Sequence, residues 1–362
     1  MRRPVARPAW ELLGPSLVVV IVAAVGTLAS SPVEFQFRSV LVNAAIVVAL
    51  YTFVGNSGVI SFGHVSFVAV GAFAAGLTAA PADVKPTTFP ELYGFLQDVH
   101  VGNAASLAIA AAVGGVFAFI VGIPIMRLSG LAAGIATFAV LAITNNIFRN
   151  WERIGPGAKT LSLIPETTGL LQAAIGLLAV MAIAFAYQKS RHGRMLRAAR
   201  DDPPAARASG VNILRQRLFA FTLSGALAGF AGGLLVHLLG FISTTQVFLD
   251  LTFITLAMLV IGGAGSLWGA VLGALLVSGL DSLLAEAEKG IGDVSFPSGT
   301  RLLTLGVLMF LVLILLPRGI TGGRELSWPF RRPAAARGVE PTGSLGEVHA
   351  TLRQLLRRRP KA

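Results

Sequence analysis

The sequence predicts an all-α integral membrane protein, a polytopic helical bundle of about ten transmembrane helices. Three observations predict it. Only 13% of the 362 residues are charged while 54% are apolar, against roughly a quarter and a half in ordinary soluble domains. The mean hydropathy, +0.76, is too high for a water-facing surface. Apolar stretches recur along most of the chain, each close to the roughly 20 residues that cross the hydrocarbon core at about 1.5 Å per residue.

Ten segments satisfy this rule: Leu12–Leu28, Ser39–Val54, Val65–Ala80, Ala104–Ile125, Leu131–Phe148, Gly169–Tyr187, Leu218–Gly240, Leu251–Gly263, Leu267–Leu284 and Leu302–Leu316. The eighth is short and ends in glycine, so a broken or re-entrant piece, with eight or nine full spans in total, is the alternative. The first follows Arg2, Arg3 and Arg7. A cleavable signal peptide begins this way too, but the apolar run is long for one, and a retained helix is the expectation.

The net charge of +12 raises the question of nucleic acid. Its distribution answers against it, because the basic residues gather at both termini and in a few inter-helical segments, as orientation in a bilayer requires. Segment 188–217 holds Lys189, Arg191, Arg194, Arg197, Arg200, Arg207, Arg215 and Arg217 against only Asp201 and Asp202. The last residues carry Arg357, Arg358, Arg359 and Lys361. The other side collects Asp83, Glu91, Asp98, Glu152, Glu166, Glu286, Glu288 and Asp293. An even number of spans then places both termini in the cytoplasm of a cytoplasmic (inner) membrane protein. The chain divides into a cytoplasmic segment 1–11, a membrane domain 12–317 and a basic, mobile cytoplasmic tail 318–362. Leu345 to Arg359 can form a short basic amphipathic helix on an anionic leaflet or stay a solvated tail. With no cysteine, disulfides and thiolate metal sites are excluded.

Two glycine-rich breaks look alike. One, between the second and third spans, contains Gly55, Gly58, Ser61, Gly63 and His64; the other, between the eighth and ninth, contains Gly262, Gly263, Gly265, Ser266 and Gly269. Glycine permits tight turns and close helix contact. Unwound backbone at membrane depth is tolerated where protein or a cavity covers it. Two readings stand: tight turns between close-packed helices, or matched halves lining a path.

Within 188–217, His192 to Asp201 reads as a short amphipathic helix with Arg194, Arg197 and Arg200 at every third position. Pro203-Pro204 breaks it. A second helix, Ala205 to Ser209, stops at Gly210. Positive charge on the inner side explains the arginines but not this punctuation, so a protein-docking role is favoured over a topology signal alone.

Here the chain resembles a known family. Arg197-Ala198-Ala199-Arg200-Asp201-Asp202, Ala205-Ala206, Gly210-Val211-Asn212 and the run from Phe219 to Gly229 are similar to permeases of the branched-chain amino-acid ABC importers. So are Ile60 to Phe67, Gly262 to Gly269, and Pro317-Arg318-Gly319. The matches run in family order from about 40 to 320 and favour the longer of its two permease types. The resemblance implies a permease subunit paired with a second, related permease. It implies two cytoplasmic ABC ATPase subunits that bind ATP, none being bound by this chain, and an extracytoplasmic solute-binding protein. Related permeases dock their ATPase through a Glu-Ala-Ala-x-x-x-Gly element. Ala205, Ala206 and Gly210 match its spacing, but Pro204 stands at the acidic position, leaving Asp201 or Asp202 to supply the charge.

Gly155-Pro156-Gly157-Ala158-Lys159-Thr160 is no phosphate-binding loop, since it lacks glycine directly before the lysine. Energy must come from a partner or an ion gradient. A gradient-driven transporter would carry ionisable groups at membrane depth, and the candidates, His64, His237 and Asp281, read better as boundary or packing residues. No constellation of an intramembrane enzyme appears. Uncharged polar residues within spans, Asn43, Thr137, Thr144, Asn145, Asn146 and Ser224, either bond neighbouring helices or line a path for a small polar solute.

Overall fold

The computed structural model describes residues 7–83, 85–154, 157, 160–289, 297, 300–315, 319–323 and 325. Arg2, Arg3, Lys159, Asp293, Pro317, Arg318 and everything from 326 onward, including the end of the basic tail, lie outside the described residues. Fourteen helices are described. Ten overlap the ten predicted segments in position, which is not a count of bilayer crossings: α1 (Arg7–Gly26), α2 (Ser31–Ser57), α3 (His64–Ala79), α6 (Asn103–Ile125), α7 (Gly130–Asn150), α8 (Leu170–Lys189), α11 (Ile213–Leu239), α12 (Leu249–Gly262), α13 (Leu267–Lys289) and α14 (Thr300–Leu315). Four are short: α4 (Lys85–Thr88), α5 (Gly94–Asp98), α9 (Arg191–Asp201) and α10 (Pro203–Ala208). The chain is a multi-span helical membrane protein. By length and composition alone, six helices among the described residues can cross a membrane: α2, α6, α7, α8, α11 and α13. The apolar parts of α1, α3 and α12 are shorter. Two of these, α3 and α12, abut the glycine-rich breaks, and α2 runs three residues further into the first break than the pattern assigned.

The centre is built from α2 and α11. From Leu41 to Ser57 nearly every residue of α2 is buried, as a helix apolar on all sides requires. Helix α11 packs against α6, α3 and α2, and glycines set those crossings. A Cβ on Gly71 of α3 would stand 2.2 Å from the Gly229 carbonyl oxygen, and one on Gly232 would stand 2.1 Å from that of Val68. Such backbone-to-backbone approach is how helices associate where lipid removes the usual hydrophobic drive. Helix α7 lies further out, with most of its residues exposed.

At the end of the bundle opposite segment 188–217, chain between α3 and α6 folds over itself. Lys85 is buried and donates through Nζ to the carbonyl oxygens of Leu96, at 3.1 Å, and Val99. Leu161 and Ile242 form one antiparallel bridge there. His237, a candidate ionisable residue, bonds Ser106 Oγ at 2.8 Å and the Pro165 carbonyl at 3.0 Å, and so packs α11 against α6 and this cap.

Candidate functional site

Segment 188–217 folds much as its punctuation predicts, but shorter. Helix α8 runs to Lys189 and α11 begins at Ile213, so Arg215 and Arg217 belong to a span-forming helix. Ser190 caps α9, its hydroxyl accepting from the Gly193 N–H at 3.2 Å. Asp202 then caps α10, its carboxylate accepting from the Ala205 N–H at 3.0 Å, with Pro203 and Pro204 in the first turn, where a missing N–H costs nothing. Gly210 ends the element at φ 78°, a left-handed stop. Ala199, Ala206 and Ile213 bury a small core between the two short helices and α11.

The acidic residues offered as substitutes at the docking element are therefore engaged locally. Asp202 holds α10, and Asp201 accepts from Arg200 Nε at 3.1 Å. Of the arginines, Arg194 is exposed and donates to the Lys189 carbonyl at 2.9 Å, while Arg197 donates to that of Gln188 at 2.5 Å. Arg200 reaches furthest. Its Nη1 donates to the Gly55 carbonyl oxygen at 2.7 Å, and its aliphatic stem crosses Gly58, where a Cβ would meet Cγ at 2.6 Å. Gly58 has φ 69°, so glycine serves there twice: it takes the left-handed turn that ends α2, and it leaves room for the arginine.

Beyond Gly58 the first break runs along α7. The Phe62 N–H donates to Thr137 Oγ1 at 3.1 Å, and the Thr137 hydroxyl donates to the Gly134 carbonyl at 2.7 Å. Gly63 lies against the Thr137 carbonyl, 2.2 Å from where its Cβ would be. His64 then enters the core between Phe53, Phe67 and Phe221. Its Nδ1 lies 2.7 Å from Ser61 Oγ and its Nε2 2.7 Å from Ser224 Oγ. Because the Ser224 hydroxyl donates to the Ala49 carbonyl at 2.6 Å, it accepts from Nε2–H, and Ser61 donates to Nδ1. One neutral tautomer thus ties α2, the break and α11 together.

The second break is held differently. Gly263 has φ 112°, and residues 319–323 lie alongside it. The Ile320 N–H donates to the Ile261 carbonyl at 2.8 Å, and Thr321 donates to that of Gly262 through both N–H, 3.1 Å, and Oγ1, 2.9 Å. Gly265 packs against Gly323. Ser266 Oγ accepts from the Gly269 N–H at 2.8 Å. Glu325 accepts from the Leu267 N–H at 2.8 Å and the Trp268 N–H at 3.4 Å, satisfying the start of α13. Burial pushes the Glu325 carboxyl above the usual carboxylate range, against the pull of those donors. Residues 319–323 and 325, assigned by sequence to a mobile tail, are instead packed on the membrane domain, because the glycines let the two backbones touch.

The two breaks also meet each other. A Cβ on Gly55 would stand 2.7 Å from the Ala264 carbonyl oxygen. Arg200, Gly55, Gly58 and the 263–266 turn thus form one cluster at the basic end. Sequence reading missed Gln188, Glu325 and Tyr51. The Tyr51 hydroxyl donates to Gln188 Oε1 at 2.9 Å, and Gln188 Nε2 donates to Glu325 Oε1 at 3.3 Å. No local signal marks these pairs, each separated by 137 positions.

The polar candidates in the spans separate. Ser224 and Thr137 are fixed as above. Asn43 donates to Ser278 Oγ at 3.3 Å, joining α2 to α13. Asn145 donates to the Thr244 carbonyl at 2.7 Å, and Asn146 bonds Asn150 on an exposed surface. Thr144 is buried, and its hydroxyl finds no partner among the described residues. It lines a small cavity with Ser66, Asn145 and Thr244.

Residues 33–315, most of the bundle and both breaks, match the model of the family described as branched-chain amino acid transport system / permease component, and the chain belongs to that family. It is 28% identical over 301 residues to the high-affinity branched-chain amino acid transport system permease protein LivM of Escherichia coli, covering 74% of this chain and 64% of that protein. Against the probable branched-chain amino acid transport permease protein LivH of Methanocaldococcus jannaschii the identity is 33% over 135 residues, 37% of this chain and 42% of that one. The autoinducer 2 import system permease protein LsrC of Yersinia pestis is 30% identical over 232 residues, 60% of this chain and 64% of the relative. The chain thus spans less than two thirds of the length of these relatives.

Proposed function

We propose that this chain is the membrane-spanning permease subunit of an ATP-driven importer that moves branched-chain or other small neutral amino acids by alternating access. In this reading the basic end faces the cytoplasm, both termini lie there, and α9 and α10 dock into the ATPase, two copies of which bind ATP beneath the permease pair. A second, related permease completes the pathway, and an extracytoplasmic binding protein delivers the solute. The observation that carries the reading is the Arg200 contact with Gly55 across Gly58. It joins a short helix outside the bundle to the point where a central span is broken, as a push from outside requires. His64 and His237 are engaged in hydrogen-bonded packing, which supports this reading over a gradient-driven carrier.

The test is assembly and drive. The chain purified with its ATPases should take up solute only with ATP, and deletion of 205–210 should abolish both ATPase association and uptake. Gradient-driven uptake by the chain alone in liposomes would sink the proposal. The similarity to a permease named for autoinducer 2 import favours a second reading of the cargo, a small polar solute other than an amino acid, with urea or a short amide among the alternatives. A binding screen on the associated receptor separates them. Of the pathway candidates, Thr144 and Asn145 suit a passing polar solute best, since they alone face the small cavity.

A further inference from the structure

A helix start needs acceptors for its first N–H groups, and a local Ser, Thr, Asp or Asn usually supplies them. Ser266 serves α13 in this way for Gly269. The Leu267 and Trp268 N–H groups are met instead by Glu325, 58 and 57 positions downstream. A distant carboxylate satisfies the helix no better than a near one, so its placement calls for another reason.

That reason lies on its other side. Gln188, buried at the root of the basic loop, donates to the same carboxylate oxygen. The Gln188 side-chain oxygen accepts from Tyr51 of α2, and its backbone oxygen accepts from Arg197 of α9. One step further along the chain, Lys189 pairs with Glu11 of α1. Arg197 and Arg200 are both committed to backbone carbonyls. Among the described residues, Glu325 is therefore the group that spans from the loop's root to the start of α13.

We propose that Glu325 is a positioning residue that holds Gln188 and the first turn of α13 as one unit, so that displacement of the basic loop is carried to the second break. The proposal rests on the reading of that loop as the docking point for ATPases. It makes Glu325 a rigid tie, closed throughout the cycle, and not a catch that opens.

The complex of this chain with its companion permease, ATPases and receptor, reconstituted in proteoliposomes, tests it. In E325A, ATPase co-purification should be unchanged while solute moved per ATP hydrolysed falls roughly tenfold, the scale of a lost charge-assisted hydrogen bond. If uptake and hydrolysis fall together with protein yield and their ratio holds, Glu325 only stabilises α13 and the proposal is overturned. Q188A cuts the tie from its other side and leaves Glu325 on the Leu267 and Trp268 N–H groups, so it should lower the ratio as E325A does. A wild-type ratio in an assembled Q188A complex would also overturn the proposal. Failure of wild-type chain to retain ATPases would remove the docking reading and the tie together, whereas an unchanged ratio in an assembled E325A complex removes the tie alone.

Discussion

Between α2 and α3 the chain is unwound over residues 58–63, whereas between α12 and α13 only 263–266 separate two helices. Both stretches are rich in glycine and each holds a serine, yet glycine performs different work in them. At the first break it does both kinds of work: Gly58 clears space for the Arg200 stem, Gly63 lets the chain touch the Thr137 carbonyl, and α3 starts without a side-chain cap, anchored by His64 instead. At the second it lets backbones touch: a Cβ on Gly262 would lie 1.9 Å from the Gly269 carbonyl oxygen and one on Gly273 2.0 Å from that of Met258. A flexible arginine can yield and a helix backbone cannot. The Gly58 end of the first break is thus adjustable from the loop, and the second break moves only as a block.

The largest effect should come from the block. G262A places a methyl on backbone oxygen, and we expect a loss of about 3 kcal/mol, read as a lowered thermal transition in detergent. In an uncrowded helix the same change would stabilise by up to about 1 kcal/mol, so the sign alone decides whether the helices are locked. Next, S224A leaves His64 Nε2–H without its acceptor inside an aromatic box, at a cost of about 2 kcal/mol in the same assay. G58A should cost about 1–2 kcal/mol from left-handed strain and more from the contact of its methyl with the Arg200 stem, and R200A should relieve the contact alone. Strict additivity of G58A and R200A would mean that the arginine does not press on the break.

The smallest effect is a pH dependence. Burial raises the Glu325 carboxyl, so its contribution to stability is fully present below the unfolded value and is lost as pH rises through the folded one. From about pH 4.5 upward, the wild type should lose stability relative to E325Q. A constant gap across that range would show that the carboxylate is well solvated.

The helices were legible because crossing a bilayer imposes a length, and the breaks because glycine runs interrupt it. Charged turns hid the true helix ends. Glu34 and Arg38 pair one turn apart within α2, whose predicted start was Ser39. Arg215 and Arg217 likewise read as loop although α11 contains them. At the site, the threefold spacing of Arg194, Arg197 and Arg200 and the Gly210 stop were readable, since both are local. The target of Arg200 at Gly55 was not, nor were Gln188 and Glu325. Contacts between residues more than a hundred positions apart depend on how helices pack, and the hydropathy of a span carries no record of its neighbours.

The cap on α13 also sets an order of assembly. The hydrogen bonds that hold the first break through Arg200 and Ser224 have all their partners synthesised by residue 224. The Leu267 N–H must wait 58 residues for Glu325, a delay of roughly 3–12 s at 5–20 residues per second. During synthesis the second break therefore closes after these contacts of the first, and until then the first turn of α13 lacks its distant acceptor.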